Sequence, residues 1–159
     1  MIDRHRVRTS GARFAPAVIC LAAIAVAAVW GCARGGTKYP EVRALDGAVS
    51  VVTADLPAGS ARFFTFRDRT GRTADFFVYR ESGGTARAAL DACRTCARFR
   101  KGYRLESGRM LCIYCGMRFE IDALATGSGS CIPIALPVEH ASDRVHIAAE
   151  ALEEGVRYF

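Results

Sequence analysis

Five of the chain's seven cysteines fall between Cys93 and Cys131 with the spacing C-x2-C-x15-C-x2-C-x15-C. No other feature limits the available folds as strongly. Each C-x2-C loop brings two sulfurs to one side of a tetrahedron, so two such loops have the layout of a four-thiolate metal site. A chain of 159 residues has room for one ordinary domain and a short appendage. In a domain that small, seven cysteines indicate that a metal or disulfides supplement a limited hydrophobic core. The candidate metal ligands are therefore Cys93, Cys96, Cys112 and Cys115, with Cys131 as a fifth that repeats the gap between the pairs.

The second pair is the sharper one. Leu111-Cys112-Ile113-Tyr114-Cys115-Gly116 resembles a zinc-ribbon or rubredoxin knuckle. In such a turn the residue after the second cysteine takes a positive φ, which glycine adopts without steric cost, and backbone N–H groups then point at sulfur. The first pair, Cys93-Arg94-Thr95-Cys96-Ala97, lacks that glycine. No histidine follows either pair, which excludes covalent c-type haem attachment on this motif. His140 and His146 remain as spare ligands. His146, alternating with Val145 and Ile147, is the candidate that could approach the metal, against the commoner reading of a surface or core histidine. Met110 and Met117 flank the second knuckle and read as packing rather than as soft-metal ligands.

Basic residues crowd the same stretch. Arg94, Arg98, Arg100, Lys101, Arg104, Arg109 and Arg118 stand against Glu106. Such a field lowers thiol pKa values and offsets the negative charge of a thiolate-bound metal. A solvated basic loop and an anion or nucleic-acid surface are the other readings. Export of the domain speaks against nucleic acid.

Residues 1–13 are basic and polar, and Phe14 to Ala33 carry no charge. That is an export signal in charge and hydropathy. About 20 uncharged residues also just span a hydrocarbon core of about 30 Å, so a retained signal anchor is equally consistent. Its flanking arginines would stay in the cytoplasm and place the rest outside. Val29-Trp30-Gly31-Cys32 resembles a lipoprotein cleavage site with Cys32 as the lipidated residue, although Trp30 departs from that pattern. A retained anchor, a lipoprotein and ordinary cleavage all export the domain. The net charge of +6 divides evenly between residues 1–31 and the remainder, so the folded part is less basic than the whole.

The expected organisation is a signal anchor or lipoprotein-type signal over 1–32, a Gly- and Pro-containing linker over 33–41, and a cysteine-rich domain over 42–159. The fold class is α+β, mostly β: a small single domain with zinc-ribbon-like cysteine knuckles, preceded by one N-terminal hydrophobic helix. Ala48 to Thr53, Arg62 to Phe66 and Thr73 to Arg80 read as strands, with a hairpin turn at Asp68-Arg69-Thr70-Gly71. The aromatic residues of these strands supply the apolar face of one sheet, against the rarer alternative of a base-stacking platform. Thr85 to Ala92 is an extended lead into Cys93, and Met110 to Phe119 a strand, knuckle, strand unit. Ser142 or Asp143 is expected to cap a short helix through residues 148–154, with Gly155 as its stop.

From about Val42 to Phe159 the chain resembles the FtrD-like membrane iron–sulfur domain, the cysteine-rich module of a bacterial ferrous-iron uptake system. The resemblance rests on Ala89-Leu90-Asp91-Ala92-Cys93-Arg94-Thr95-Cys96, Lys101-Gly102-Tyr103, Cys112-Ile113-Tyr114-Cys115-Gly116 with Phe119, Gly129-Ser130-Cys131-Ile132-Pro133, and Tyr158-Phe159. It implies an exported domain of the bacterial cell envelope with a redox or iron-handling role, iron or an iron–sulfur cluster as cofactor, and the five cysteines as ligands. A membrane iron permease or redox protein is the implied partner. The family's Gly-Gly-Cys-Asn-Pro segment reads Gly129-Ser130-Cys131-Ile132-Pro133 here, which removes a polar group beside the fifth cysteine. With one hydrophobic segment, this chain is a tethered partner rather than a permease.

Three functions follow from the residues. The first is an iron or iron–sulfur domain for electron transfer or iron handling. The second is a structural zinc module. The third is an extracytoplasmic thiol–disulfide protein. Against catalysis by the third, two pairs and a fifth cysteine exceed a thioredoxin-like site, and no βαβ pattern surrounds them. No nucleophile–base pair, phosphate loop or paired carboxylates mark an enzyme.

Overall fold

The computed structural model describes residues 36–159. The expected N-terminal hydrophobic helix, with Cys20 and Cys32, lies outside them. In chain order the strands are β1 (Glu41–Val42), β2 (Ala48–Val52), β3 (Ala61–Arg67), β4 (Thr73–Arg80), β5 (Ala86–Leu90) and β6 (Tyr103–Glu106). They continue with β7 (Arg109–Cys112), β8 (Arg118–Glu120), β9 (Ala135–Leu136), β10 (Glu139–His140) and β11 (Arg144–Ala148), and a short helix, α1 (Ala149–Gly155), follows. The domain is thus mostly β, as its alternating aromatic and β-branched runs dictate.

The central sheet has the order β1-β3-β4-β5-β9. Its long antiparallel pair, β3 and β4, sets Phe63 opposite Phe77 and Phe64 opposite Phe76, joined by the expected hairpin turn. In that turn the buried Asp68 carboxylate accepts from the N–H groups of Thr70 and Arg72. Successive side chains of a strand point to opposite faces. In β4 both faces are apolar: Phe76 and Val78 enter one core, and Phe77 and Tyr79 a second. This corrects the expectation of a single apolar face. The reason is the position of β4 in the middle layer, covered on both sides.

On the first face lies the three-stranded sheet β10-β11-β2, whose Val49, Val51, Val145 and Ile147 meet Phe66, Phe76 and Leu90, with Leu152 of α1 completing the core. On the second face lies the sheet β6-β7-β8, which contributes Tyr103, Met110 and Cys112. Each buried aromatic removed from water stabilises the fold by roughly 2 kcal/mol, so both layers are held to β4 by area alone.

Two local expectations change. Neither Ser142 nor Asp143 caps the helix: α1 starts after Ala148 with no side-chain cap, because residues 144–148 pair along the whole of β2 as β11. Asp143 instead accepts Arg144, while its carbonyl receives the Thr53 and Ala54 N–H groups. Residues 37–41, expected as the end of a linker, belong to the compact unit Thr37–Phe159. The Tyr39 ring lies 5.0 Å from that of Phe63, the Pro40 carbonyl accepts the Thr65 N–H, and β1 runs parallel to β3.

Candidate metal centre

Three chain segments carry the thiols. The first leaves the end of β5: Asp91 N–H donates to the Asp75 carbonyl, and the chain turns so that Cys96 N–H points at Cys93 Sγ, 3.1 Å away. Ala97 N–H bonds the Cys93 carbonyl and a 3-10 turn over Ala97–Phe99 ends the loop at Arg100, which takes φ +52. The second segment is the β7–β8 hairpin. Cys112 N–H donates to the Met117 carbonyl and Gly116 N–H to the Cys112 carbonyl, each at 2.9 Å. Gly116 has φ +75, the left-handed conformation anticipated for the knuckle.

Cys131 arrives on the third segment, pinned beside the first. Thr95 Oγ1 donates to the Ser130 carbonyl at 2.7 Å, Ile134 N–H to the Ala92 carbonyl and Leu90 N–H to the Ile134 carbonyl. From the opposite side the Tyr103 hydroxyl donates to the Cys131 carbonyl at 2.5 Å. These bonds cross 28 to 44 residues of sequence, so the placement of Cys131 is a tertiary fact.

The five sulfurs converge. Cys93, Cys96 and Cys112 form one triad whose Sγ atoms lie within 4.8 Å of one another, and Cys96, Cys115 and Cys131 form a second. Cys96 belongs to both. Cys131 Sγ is 3.5 Å from Cys96 Sγ and 3.3 Å from Cys115 Sγ. These separations exceed the roughly 2.0 Å of a disulfide, and all five are free thiols. Four are buried, while Cys115 is exposed. The first triad opens onto a cavity of about 190 Å³ that Lys38, Asp91 and Arg100 also line.

Charge is distributed unevenly over the sulfurs. Burial alone would raise Cys93, but the Cys96 N–H and further donors outweigh it and hold its thiol below the usual range. Cys115 is lowered in the same way, the Met117 N–H and the neighbouring thiols overcoming burial. Burial pushes Cys96, Cys112 and Cys131 up, with neighbouring thiols adding to it. Each triad therefore combines one lowered thiol with two raised ones. The leading causes are burial, backbone N–H groups and adjacent sulfurs, rather than the neighbouring arginines.

Asp91, two residues before the first ligand candidate, anchors the site from beneath. Its carboxylate accepts Tyr103 N–H at 2.5 Å, Lys38 Nζ at 2.7 Å and the Tyr39 hydroxyl at 3.0 Å. Burial nevertheless pushes its pKa up, against the lowering effect of Lys38. Tyr103, itself buried and beside Cys93, is pushed well above the ordinary phenol range and stays protonated. Spacing alone gave Asp91 and Tyr103 no role. A carboxylate and a Gly-Tyr step flanking the first pair are the only traces of it.

The remaining candidates lie elsewhere. His146 sits on β11, opposite Ser50 and Glu139 in the sheet on the other side of the central one, outside both thiol groups. His140 is exposed on β10. Met110 is fully buried in the cysteine-side core, whereas Met117 is exposed.

Five soft sulfur donors without a carboxylate or imidazole among them suit iron, iron–sulfur clusters or zinc. Cys93, Cys96, Cys112, Cys115 and Cys131 are the residues that could hold such a group. Fold and site together define a small β domain carrying a five-thiol cluster that could hold a metal, between its central sheet and a three-stranded cap. The model of the family described as membrane iron-sulfur containing protein FtrD-like matches residues 56–159, and the chain belongs to that family. A comparison with curated proteins found no match. Among the described residues no helix is long and apolar enough to cross a membrane.

Proposed function

We propose that the chain is an exported, membrane-tethered domain that binds iron or an iron–sulfur cluster and passes electrons to, or handles iron for, a membrane transport system. The observation that carries this reading is the convergence of five thiols in two triads sharing Cys96. A single tetrahedral zinc ion needs four ligands, and a fifth adjacent thiol is a surplus that a purely structural site does not use. When bound, an iron–sulfur group supplies one-electron transfer. The chain's own residues supply the rest: two knuckles and the Cys131 segment hold sulfur, backbone N–H groups at Cys96 and Met117 favour the thiolate form, and the sheet beneath excludes water.

Arg4, Arg6, Arg8 and Arg13 before the uncharged stretch 14–33 support export with the N-terminus left in the cytoplasm. Cys32 is the lipidation candidate if that segment is cleaved. The proposed location is the bacterial cell envelope, with an iron permease or redox membrane protein as partner.

The test is anaerobic purification of the full chain, followed by iron, zinc and acid-labile sulfide analysis and visible spectra before and after dithionite. Iron with sulfide and a spectrum that bleaches on reduction supports the proposal. A colourless protein with stoichiometric zinc overturns it in favour of a structural zinc module, the reading that the Gly116 knuckle geometry also fits.

A further inference from the structure

The exposed edge of the metal centre is apolar at its middle and basic around it. Ile113, Tyr114 and Met117 are 39%, 49% and 52% exposed, three of the large apolar side chains left open among the described residues, and all sit on the loop that carries the exposed Cys115. Phe99 of the first cysteine loop stacks on Tyr114 with ring centroids 3.6 Å apart and planes at 10°. Arg98 places its guanidinium over the Phe99 ring at 4.7 Å. The Gly102 carbonyl accepts Ile113 N–H, so the two cysteine loops present one continuous surface.

Charge is polarised to match. Residues 94–120 hold seven basic and two acidic side chains, a net +5, whereas the other described residues hold ten basic and thirteen acidic, a net −3. Arg104 and Arg118 share Glu106, and Arg109 pairs with Glu120. Arg94, Arg98, Arg100 and Lys101 are exposed and make no ion pair among the described residues. None of these side chains donates to a cysteine sulfur. Cations that neither bond the sulfurs nor meet an acid of their own are available to a partner.

We infer that this face, Phe99, Ile113, Tyr114 and Met117 flanked by Arg98, Arg100 and Lys101, docks a protein whose contact surface is acidic. Complementary charge speeds encounter and fixes register, and a small apolar centre excludes water next to Cys115. An anionic membrane is the competing occupant of a basic, partly apolar face. Three partly exposed side chains are too few to seat in acyl chains. The inference rests on the metal-centre reading for its purpose, but its test does not depend on metal chemistry.

The experiment uses the full chain in nanodiscs of zwitterionic lipid, with an acidic flavodoxin as probe and a basic cytochrome c as control. Affinities are measured by calorimetry at about 20 and about 200 mM NaCl, where the Debye length falls from about 21 to about 7 Å. The flavodoxin should bind about tenfold or more weakly at the higher salt, and the cytochrome should not bind. Arg98→Glu/Lys101→Glu should weaken flavodoxin binding about tenfold at low salt with the visible spectrum unchanged. If that variant fails to load metal, the salt dependence of the native chain still decides. Equal binding of both probes, absence of flavodoxin binding, or an unaffected variant of native spectrum overturns the inference. So does hydrogen-exchange protection of residues 98–117 by phosphatidylglycerol in the disc without any probe, which assigns the face to lipid. Salt-dependent binding by a colourless, zinc-loaded chain would keep the docking face and remove only the iron–sulfur reading.

Discussion

Replacing Gly102 by alanine measures how firmly the buried Asp91 carboxylate holds the cysteine-bearing loops to the rest of the domain. Gly102 has φ +68, and a Cβ there would stand 2.6 Å from both Cγ and Oδ1 of Asp91 and closer still to Oδ2. The carboxylate has nowhere to move, because Tyr103 N–H, Lys38 Nζ and the Tyr39 hydroxyl all bond it. Two costs combine. Alanine in the left-handed region costs about 1 kcal/mol, and losing one charge-assisted hydrogen bond of a buried carboxylate costs about 2 kcal/mol. A loss near 3 kcal/mol lowers the melting temperature of a domain this size by about 10 °C. Gly108→Ala is the control, since Gly108 has φ +77 with nothing within 4 Å of its Cβ. It should lose about 1 kcal/mol and about 4 °C. The assay is thermal unfolding by circular dichroism on anaerobic, metal-matched samples. In an Asp91→Ala background the further loss from Gly102→Ala should shrink to the control's value, because the clashing carboxylate is gone. A Gly102→Ala protein no less stable than Gly108→Ala would mean that Asp91 does not crowd position 102.

Two further outcomes are expected. Cys131→Ser should change the visible spectrum and lower iron retention on chelator challenge about tenfold or more, since metal-site substitutions typically cost 10–100-fold in affinity. Unchanged metal content and spectrum would remove Cys131 from the ligand set. Asp68 is buried, which alone would raise its pKa, but its hydrogen bonds to Thr70 and Arg72 outweigh that and hold it below its ordinary 3.8. A lowered native pKa means stability that is present above 3.8 and lost as pH falls through the native value. The stability advantage of the native chain over Asp68→Asn should accordingly be constant above about pH 5 and fade below it. A difference that stays flat to pH 3 in denaturant titrations would contradict the assignment; comparing the two proteins cancels any acid release of metal common to both.

What the residues determined by themselves is local. A C-x2-C loop closes over three residues, so the knuckles, the positive φ of Gly116 and the hairpin at 68–71 were legible from spacing and turn chemistry. Strands β2, β3 and β4 were equally legible, because β-branched and aromatic runs bounded by glycine and aspartate have few other uses. Other features were set by tertiary structure, through contacts between residues far apart in the chain. Both faces of β4 are buried because sheets from earlier and later segments cover it, which a run of aromatics does not reveal. The strand Arg144–Ala148 took residues that by propensity could have lain before a capped helix, because β2 offered a free edge. His146 alternates in a pattern open to a ligand, yet its strand belongs to the sheet on the far side of the domain from the thiols. Cys131 comes within 3.5 Å of Cys96 only because Thr95, Ala92 and Tyr103 bond its segment. Asp91 gains its place through Lys38, 53 residues earlier. Spacing along the chain set which sulfurs could pair, and packing between layers decided which ones meet.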